Sequence, residues 1–194
     1  MNIFPITTTS PYYNDVESLL KRVFPESERR NLELQRKYAD EHPKFTVYAA
    51  CNGDRLVGFF TLWTFEEFSF VEHLAVIPVL QGRGYGTRIL QYIKEIAKTP
   101  LFLEIEVPFS EEQEARKRFY EKNGFEKLDE FYYQPPYTEG GICIVMHLMK
   151  YGNIVADSCV ESDVKLYSYV KQIYAEVYSF VFEGQNLNIE YKLE

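Results

Sequence analysis

The chain has 194 residues, of which 46% are hydrophobic, enough to fill one core but thin for two separate domains. Its net charge of -8 argues against a nucleic-acid-binding protein, because such a protein needs a basic face to displace counterions from phosphates. The odd cysteine count (Cys51, Cys143 and Cys159), without metal-ligand spacing, favours reduced thiols in a cytoplasmic protein with no metal site.

The N-terminal segment predicts a short strand and two helices. It lacks the basic start and the apolar run of a signal peptide or membrane anchor, and Asn2 to Thr7 fit an edge strand. A helix is predicted after a cap at Asn14 or Asp15, and a second, charge-rich helix from about Ser27 to His42. Four basic residues of the second helix are expected to form a solvated face: Arg29, Arg30, Arg36 and Lys37.

A hairpin and a further strand follow. Asn52-Gly53 tolerates positive φ and lies between the strand-like segments Phe45 to Cys51 and Leu56 to Trp63, so it predicts a tight turn. The next strand ends at Val76, and alternation along it predicts that His73 points away from the preceding glutamate.

The strand that ends at Val76 leads into a glycine-rich turn, after which helical spacing begins at Thr87. Three glycines in five residues, Gly82, Gly84 and Gly86, let the main chain approach a ligand without Cβ interference. The unpaired N–H groups of the following helical turn suit phosphate oxygens. The turn has neither the Gly-Lys-Ser/Thr of a Walker loop nor the G-x-G-x-x-G spacing of a dinucleotide fold.

The second half of the chain predicts alternating strands and helices. Ser110 and Gln113 have the spacing of a capping box, and Asn123-Gly124 is typical of a helix end. The predicted elements are a strand over Leu101 to Val107, a helix from Ser110 to Lys122, closing strands over Phe125 to Tyr133 and Ile142 to Lys150, and a loop over Gln134 to Gly141 between them.

The glycine turn resembles the acyl-CoA loop of the GNAT N-acetyltransferase superfamily, usually written Gln/Arg-x-x-Gly-x-Gly/Ala. Gln81, Gly84 and Gly86 occupy its defined places. The segment Phe119 to Phe125 is similar to a second sequence element of this family. In the order of its strands and helices, the chain resembles the family over roughly residues 1 to 150.

This resemblance implies a GNAT-like α/β (α+β) domain over residues 1–150, with a central mixed, mostly antiparallel, twisted sheet of about seven strands and flanking helices. It also implies acetyl-CoA as co-substrate, with the pantetheine arm along the fourth strand and the pyrophosphate on the amides of the glycine turn. The implied cofactor-binding residues are Leu74, Ala75, Val76, Gln81, Gly82, Arg83, Gly84, Tyr85, Gly86 and Thr87.

Direct acetyl transfer from a thioester to an amine needs a neutral amine, a polarised carbonyl and a proton for the departing thiolate. The resemblance implies Tyr120 as the general acid, and a phenol with an ordinary pKa of about 10 is suited to donate to a thiolate. The alternative interpretation is a core tyrosine whose hydroxyl bonds to the main chain.

Glu72 is the candidate general base. Alternation places it with four apolar residues of its strand, and an apolar face raises the pKa of a carboxyl group unless a bulge shifts the register. The alternative is an ordinary ion-paired glutamate. Glu104 and Glu106, on the next strand, are the other candidates, since water molecules can link either one to the amine. All three histidines are expected to be structural or exposed.

Residues 151–194 fall outside the GNAT pattern. Ser162 is expected to cap a helix that reaches about Phe182, and Asn186 to Leu193 fit a final edge strand. The helix is predicted to pack on the domain or to form a homodimer contact through a stripe near 3.5-residue spacing, which consists of Val160, Val164, Tyr167, Val170, Tyr174, Val177 and Val181.

The sequence therefore predicts a cytoplasmic acyltransferase that moves an acetyl group from acetyl-CoA to a primary amine, in the first place a small-molecule amine, with no nucleic-acid or membrane partner. Three alternatives are a protein lysine or N-terminal acetyltransferase, a catalytically silent acyl-CoA-binding module, and an interaction subunit built around the C-terminal helix.

Overall fold

The computed structural model describes residues 1–128, 132–138 and 140–178. In these residues the chain forms eight strands and five α-helices. The strands are β1 (Asn2–Ile6), β2 (Phe45–Asn52), β3 (Arg55–Thr64), β4 (Ser69–Val76), β5 (Leu101–Glu106), β6 (Glu126–Lys127), β7 (Tyr132–Gln134) and β8 (Ile144–Tyr151). The helices are α1 (Tyr13–Val23), α2 (Leu32–Glu41), α3 (Tyr85–Ile96), α4 (Glu111–Lys122) and α5 (Cys159–Val177).

All the strands belong to one sheet, with the order β1-β2-β3-β4-β5-β8-β6 and with β7 also paired to β8. The β4–β5 pair is parallel, and the other pairs are antiparallel. This confirms the predicted mixed, mostly antiparallel GNAT-like fold. The strand predicted over Phe125 to Tyr133 corresponds to β6 and β7, and residues 129–131 between them lie outside the described residues.

Helices cover both faces of the sheet and form two apolar cores. On one face, Leu20 of α1 and Ile173 of α5 pack in a cluster with Phe102 of β5. On the other face, Ile89 of α3 and Tyr120 of α4 belong to a second cluster. Side chains alternate along a strand, so each central strand supplies both cores.

Several local signals are confirmed. Gly53 has φ of 60° in the turn between β2 and β3. Ser110 and Gln113 form the predicted capping box of α4, since each side chain accepts a main-chain N–H of the other residue. The helix ends at Asn123, and Gly124 follows with φ of 79°.

Three predicted helix starts are wrong by a few residues. The N-cap of α1 is Tyr12, and α5 is capped by Ser158, which accepts a hydrogen bond from the main chain of Glu161. Asn31 caps α2, because its side chain accepts the Leu34 N–H at 2.8 Å. The predicted continuation of the last helix to Phe182 and the strand over Asn186 to Leu193 lie outside the described residues.

The helix α5 packs on the same face of the sheet as α1, over Phe102 of β5. The Tyr169 ring lies 4.6 Å from Phe68 and 6.0 Å from Phe102, between centroids. The predicted apolar stripe is wrong in the first turns, where Val160 and Val164 are 73% and 60% exposed. The buried face consists of Leu166, Tyr169, Val170, Ile173, Tyr174 and Val177.

Within the described residues, no helix is both long and apolar enough to cross a membrane. That same part of the chain holds no group of three or more His, Cys, Asp or Glu residues that could bind a metal ion. Cys51 is buried, Cys143 and Cys159 are exposed, and all three are free thiols.

Candidate active site

The sheet opens between β4 and β5. Among the described residues these strands pair at three positions, the last of which joins Val71 to Leu103. Beyond them, Leu74, Ala75 and Val76 pair with β3 on one side and have no partner from β5 on the other. Main-chain groups of β4 that point away from β3 are therefore available to an extended ligand in the opening.

A β-bulge at Glu72 begins this opening. His73 pairs with Thr61 and Val71 pairs with Leu62, so Glu72 is an extra residue on β4. A bulge turns two successive side chains to the same side. The prediction that His73 points away from Glu72 is therefore wrong: His73 Nδ1 lies 4.0 Å from Glu72 Oε1. The histidine is structural, as predicted, because its ring bonds to Thr61 and the carbonyl oxygen of Glu28.

The Glu72 carboxylate is fully enclosed and ion-paired with Arg30. It also accepts hydrogen bonds from Trp63 Nε1 at 2.8 Å and from the Tyr137 hydroxyl at 3.0 Å. Burial acts to raise the pKa of this carboxyl. The charges of Arg30 and His73 and the hydrogen bonds from Arg30 and Trp63 outweigh burial and lower it. The predicted apolar surroundings and raised pKa are therefore wrong, because the bulge directs Glu72 towards the guanidinium.

Arg30 is held inside the protein by aromatic rings. Its guanidinium carbon lies 4.9 Å from the centroid of Tyr38, 5.0 Å from that of Phe45 and 5.4 Å from that of Trp63. Its Nη1 donates to Gln35 Oε1 at 2.8 Å, and its Nε has no partner in the described part of the chain.

The prediction of a solvated basic face is wrong for the two arginines that precede α2. Arg29 and Arg30 are buried, whereas Arg36 and Lys37, on the helix itself, are exposed. The reason is that α2 begins only at Leu32, so residues 29 and 30 lie in the connection that precedes the helix.

Glu104 lies on β5, just beyond its last pair with β4. Tyr132 donates to its Oε1, while Gln134 and Tyr178 donate to its Oε2, the last at 2.8 Å. Burial raises the pKa of this carboxyl to about 7; the three donors oppose that rise, and the nearby charge of Glu72 adds to it. Glu104 is thus the carboxyl group at the opening that exchanges a proton near neutral pH.

Glu106, two residues further along β5, has a different environment. It is 32% exposed and forms an ion pair with Arg116 of α4, with Nη1 2.6 Å from Oε2. Of the three glutamates that the sequence offers as base, Glu72 and Glu106 are paired with arginines and Glu104 is bonded only to neutral donors.

Tyr120 lies on the opposite face, on the last turn of α4. Its ring packs against Phe119 and Phe125, with centroids 5.2 and 5.8 Å away, and the residue is 8% exposed. Among the described residues, no group forms a hydrogen bond with its hydroxyl. The hydroxyl oxygen is also not among the fully buried polar atoms that lack a partner, so it is still in contact with solvent. Burial raises its pKa to about 12, so the phenol is neutral at physiological pH.

The glycine turn lies at the end of β4 and is largely exposed. Gly82 and Gly84 have φ of 74° and 81°, which side chains rarely adopt. Gly84 is the N-cap of α3 and offers no side chain to the first turn, whose first intrahelical bond runs from Arg88 N to Gly84 O. The N–H groups of residues 85–87 are therefore free to bind an anion.

The two motifs that carry the family resemblance meet here. A Cβ on Gly86 would lie 3.1 Å from Phe119 Cζ, so this glycine permits close packing of α3 on α4. Gln81 Nε2 donates to the Val76 carbonyl oxygen at 3.4 Å and links the turn to β4. Gln81, Gly82, Arg83 and Gly84 are exposed, while Tyr85 and Thr87 are partly buried.

Sequence reasoning missed most of the side chains that surround the two carboxylates. They come from segments far apart in the chain, and no local sequence pattern marks them. These residues are Arg30, Trp63, Tyr132, Gln134, Tyr137 and Tyr178.

A family model described as an acetyltransferase (GNAT) domain matches residues 43–127. A solved structure described as a GNAT-family acetyltransferase from Bacteroides thetaiotaomicron is 37% identical, with a TM-score of 0.83 over 92% of this chain and 98% of that one. Curated proteins give no match.

Two less similar structures share the fold. One is an aminoglycoside 6'-N-acetyltransferase complexed with coenzyme A, with 18% identity and a TM-score of 0.61 over 81% of this chain and 100% of that one. The other is a GNAT family acetyltransferase from Elizabethkingia anophelis with acetyl-CoA bound, with 22% identity and a TM-score of 0.54 over 78% and 97%.

Proposed function

We propose, from the premise that this chain belongs to the GNAT acetyltransferase family, that it transfers the acetyl group of acetyl-CoA directly to a primary amine of a small molecule. The observation that carries the proposal is the opening between β4 and β5. The start of α3, with its free N–H groups, and Tyr120 belong to one face of the sheet, and Glu104 of β5 supplies a carboxyl group with a pKa of about 7.

The residues at the end of β4 fit acetyl-CoA. The free N–H groups of residues 85–87 suit the pyrophosphate, and the left-handed Gly84 holds the turn in place for them. Main-chain groups of Leu74, Ala75 and Val76 suit the amides of the pantetheine arm and polarise the carbonyl, as a strand pairs with its neighbour. When bound, acetyl-CoA supplies the thioester acetyl group.

We propose Tyr120 as the general acid. Its hydroxyl is neutral and has no competing partner in the described chain, so it is available to donate a proton to the departing thiolate. The alternative role, a core tyrosine bonded to the main chain, has no such bond to support it within those residues.

The sequence favours Glu72 as general base, but the geometry favours Glu104. A carboxylate paired with Arg30 has a lowered pKa and accepts a proton poorly, whereas the pKa of Glu104 is about 7, close to the optimum for a base at neutral pH. We propose that Glu104 takes the amine proton, directly or through water, and that Glu72 remains a fixed negative charge that raises the basicity of Glu104.

A small amine suits this side of the opening better than a polypeptide. Tyr137 is 4% exposed and donates to Glu72, and Tyr178 is fully buried against Glu104. Together they close the face that a peptide would have to cross, and the carboxylates complement a cationic amine.

Further predictions stand with this proposal. They are a GNAT domain over residues 1–150, an extension over residues 151–194 that packs on this domain or pairs two chains, and a cytoplasmic location. The molecular mass measured in solution tests the pairing.

The test is calorimetric titration with acetyl-CoA, followed by measurement of thiol release with a panel of small amines, lysine peptides and N-terminal peptides. We expect binding of acetyl-CoA and release with small amines. Thiol release only with peptides would mean that the acceptor is a protein lysine or N-terminus and not a small amine. Binding of acetyl-CoA without thiol release would indicate a catalytically silent module. Absence of acetyl-CoA binding would overturn the proposal.

A further inference from the structure

We propose that Tyr178, the residue directly after α5, is a positioning residue that holds the Glu104 carboxylate at the opening of the sheet. The C-terminal segment then completes the acceptor side of the site. The inference rests on the proposed function, because that function gives Glu104 a part in proton transfer.

The Glu104 carboxylate is held from two directions. Tyr132 and Gln134 of β7 donate to one oxygen each, and the Tyr178 hydroxyl donates to Oε2 at 2.8 Å from the end of α5. Tyr178 is itself fully buried, and its ring lies 5.1 Å from that of Tyr137, which donates to Glu72. A carboxylate with donors on both oxygens has one preferred orientation at the terminal torsion, which is otherwise broad.

The family model does not cover the residue that supplies this contact. It matches residues 43–127, which include Glu104 and exclude Tyr178. Tyr178 is placed by α5, where the Tyr174 hydroxyl bonds to the Tyr133 carbonyl oxygen and Tyr169 packs on Phe68. The extension therefore does more than cover apolar surface, because its end contacts a polar group inside the opening.

The other groups that face Glu104 determine how the loss of Tyr178 changes the pKa of Glu104. They are Tyr132 and Gln134 from β7, Glu72 from β4, and Tyr137 from the loop after β7. A hydrogen bond to the ionised carboxylate lowers the pKa, and burial together with Glu72 raises it. When the Tyr178 hydroxyl is removed, two hydrogen-bond donors remain to lower the pKa, while burial and the charge of Glu72 still raise it. The pKa of Glu104 must therefore rise.

The test compares Tyr178→Phe with Tyr169→Phe in the full chain. Tyr169 is a matched control, because it is a buried tyrosine of α5 whose hydroxyl donates to a different glutamate, Glu67, at 3.3 Å. The carboxyl pKa of Glu104 is measured by carbon-13 NMR titration, with Glu104→Gln to assign the signal, and the pH profile of kcat/KM is recorded with the best small amine.

We expect Tyr178→Phe to raise the pKa of Glu104 by about one unit and to move the acidic limb of the profile by the same amount. At pH 6 this is a loss of about tenfold in kcat/KM, which disappears above pH 9. Tyr169→Phe should leave both quantities unchanged, and thermal unfolding of both variants shows that the fold is intact.

An unmoved NMR pKa in Tyr178→Phe would overturn the inference, as would a pKa that moves while the acidic limb stays in place. Equal shifts in both variants would also overturn it, because they would report a general loosening of α5. Failure of the unaltered protein to acetylate any amine would instead overturn the proposed function, and the NMR titration distinguishes that case.

Discussion

The glycine turn and the carboxylate cluster are the two halves of the candidate site, and they are built in opposite ways. The turn is exposed, continuous in sequence and made of main-chain groups between Gln81 and Thr87. The cluster is buried and made of side chains, with Glu72 bonded to a residue 42 positions away and Glu104 to one 74 positions away.

This difference shows which kind of change each half tolerates. A main-chain site depends on backbone conformation, so the exposed side chain at Arg83 can vary while Gly84 cannot change freely. A buried charged cluster depends on every partner, because removal of one member leaves an uncompensated charge or an unsatisfied polar group. Four predictions test this contrast.

The largest effect is expected in the cluster, from Arg30→Met. It leaves the enclosed Glu72 carboxylate without its cation, which should cost about 3 to 5 kcal/mol of unfolding free energy in urea at pH 7. Arg36→Met is the control, since Arg36 forms an ion pair with Glu17 while 53% exposed and should show little change. Equal losses in the two variants would mean that burial does not distinguish these pairs.

Tyr120→Phe tests whether the face that carries the glycine turn also supplies side-chain chemistry. Loss of the proton donor should lower kcat by about 100-fold and leave the Kd for acetyl-CoA unchanged, because general acids contribute on this scale and make no ground-state contact with the cofactor phosphates. Tyr92→Phe, on α3 of the same face, should retain full turnover. An unchanged kcat in Tyr120→Phe would remove it as the acid.

Glu104→Gln tests the sign of the pH dependence within the cluster. The folded-state pKa of Glu104 is raised from its ordinary value to about 7, so its contribution to stability is present at pH 4 and is lost as the pH rises through 7. The variant should lack this loss, which amounts to about 2 to 3 kcal/mol between pH 5 and pH 8.

Glu72 should affect the pH dependence of the unfolding free energy in the opposite direction. Its folded-state pKa is lowered, so its stabilisation is present at neutral pH and is lost only as the pH falls below its ordinary value and through the folded one. Urea unfolding across the pH range separates the two. A difference in unfolding free energy between the unaltered protein and Glu104→Gln that stays constant from pH 5 to pH 8 would contradict the assignment of Glu104.

The smallest effect is expected in the turn. Gly84→Val forces a β-branched residue into positive φ and should weaken CoA binding by about tenfold, a change of about 1.4 kcal/mol. Gly53→Val carries the same strain in the β2–β3 turn, where a Cβ also meets open space. Calorimetry should find normal CoA affinity for Gly53→Val, and equal weakening in both would show that the effect is one of stability alone.

Residues whose role depends on local geometry could be predicted from the sequence. The conformation of Gly84, the capping box at Ser110 and the Gly53 turn follow from rules that span a few residues. The alternation of side chains along β5 identifies Glu104 as an alternative base, but it identifies Glu106 equally well. Only the tertiary structure distinguishes them, because it pairs Glu106 with Arg116.

Arg30 could not be predicted, because its charge is typical of a solvated helix and its burial depends on where α2 begins and on rings from three other segments. The bulge at Glu72 could not be predicted from the sequence either. One extra residue on β4 reverses the face of a side chain, and the sequence pattern around it reads as regular alternation.

By itself the sequence predicted the fold family, through its resemblance, and the conformation of the glycine turn, because a glycine turn between a strand and a helix is a local structure whose residues are adjacent in the chain. Only the tertiary structure decided which carboxyl group titrates near neutral pH and that the end of α5 reaches it. The physical reason is that a pKa depends on burial and on neighbouring charges and donors, and here these come from β4, β5, β7 and the residue after α5.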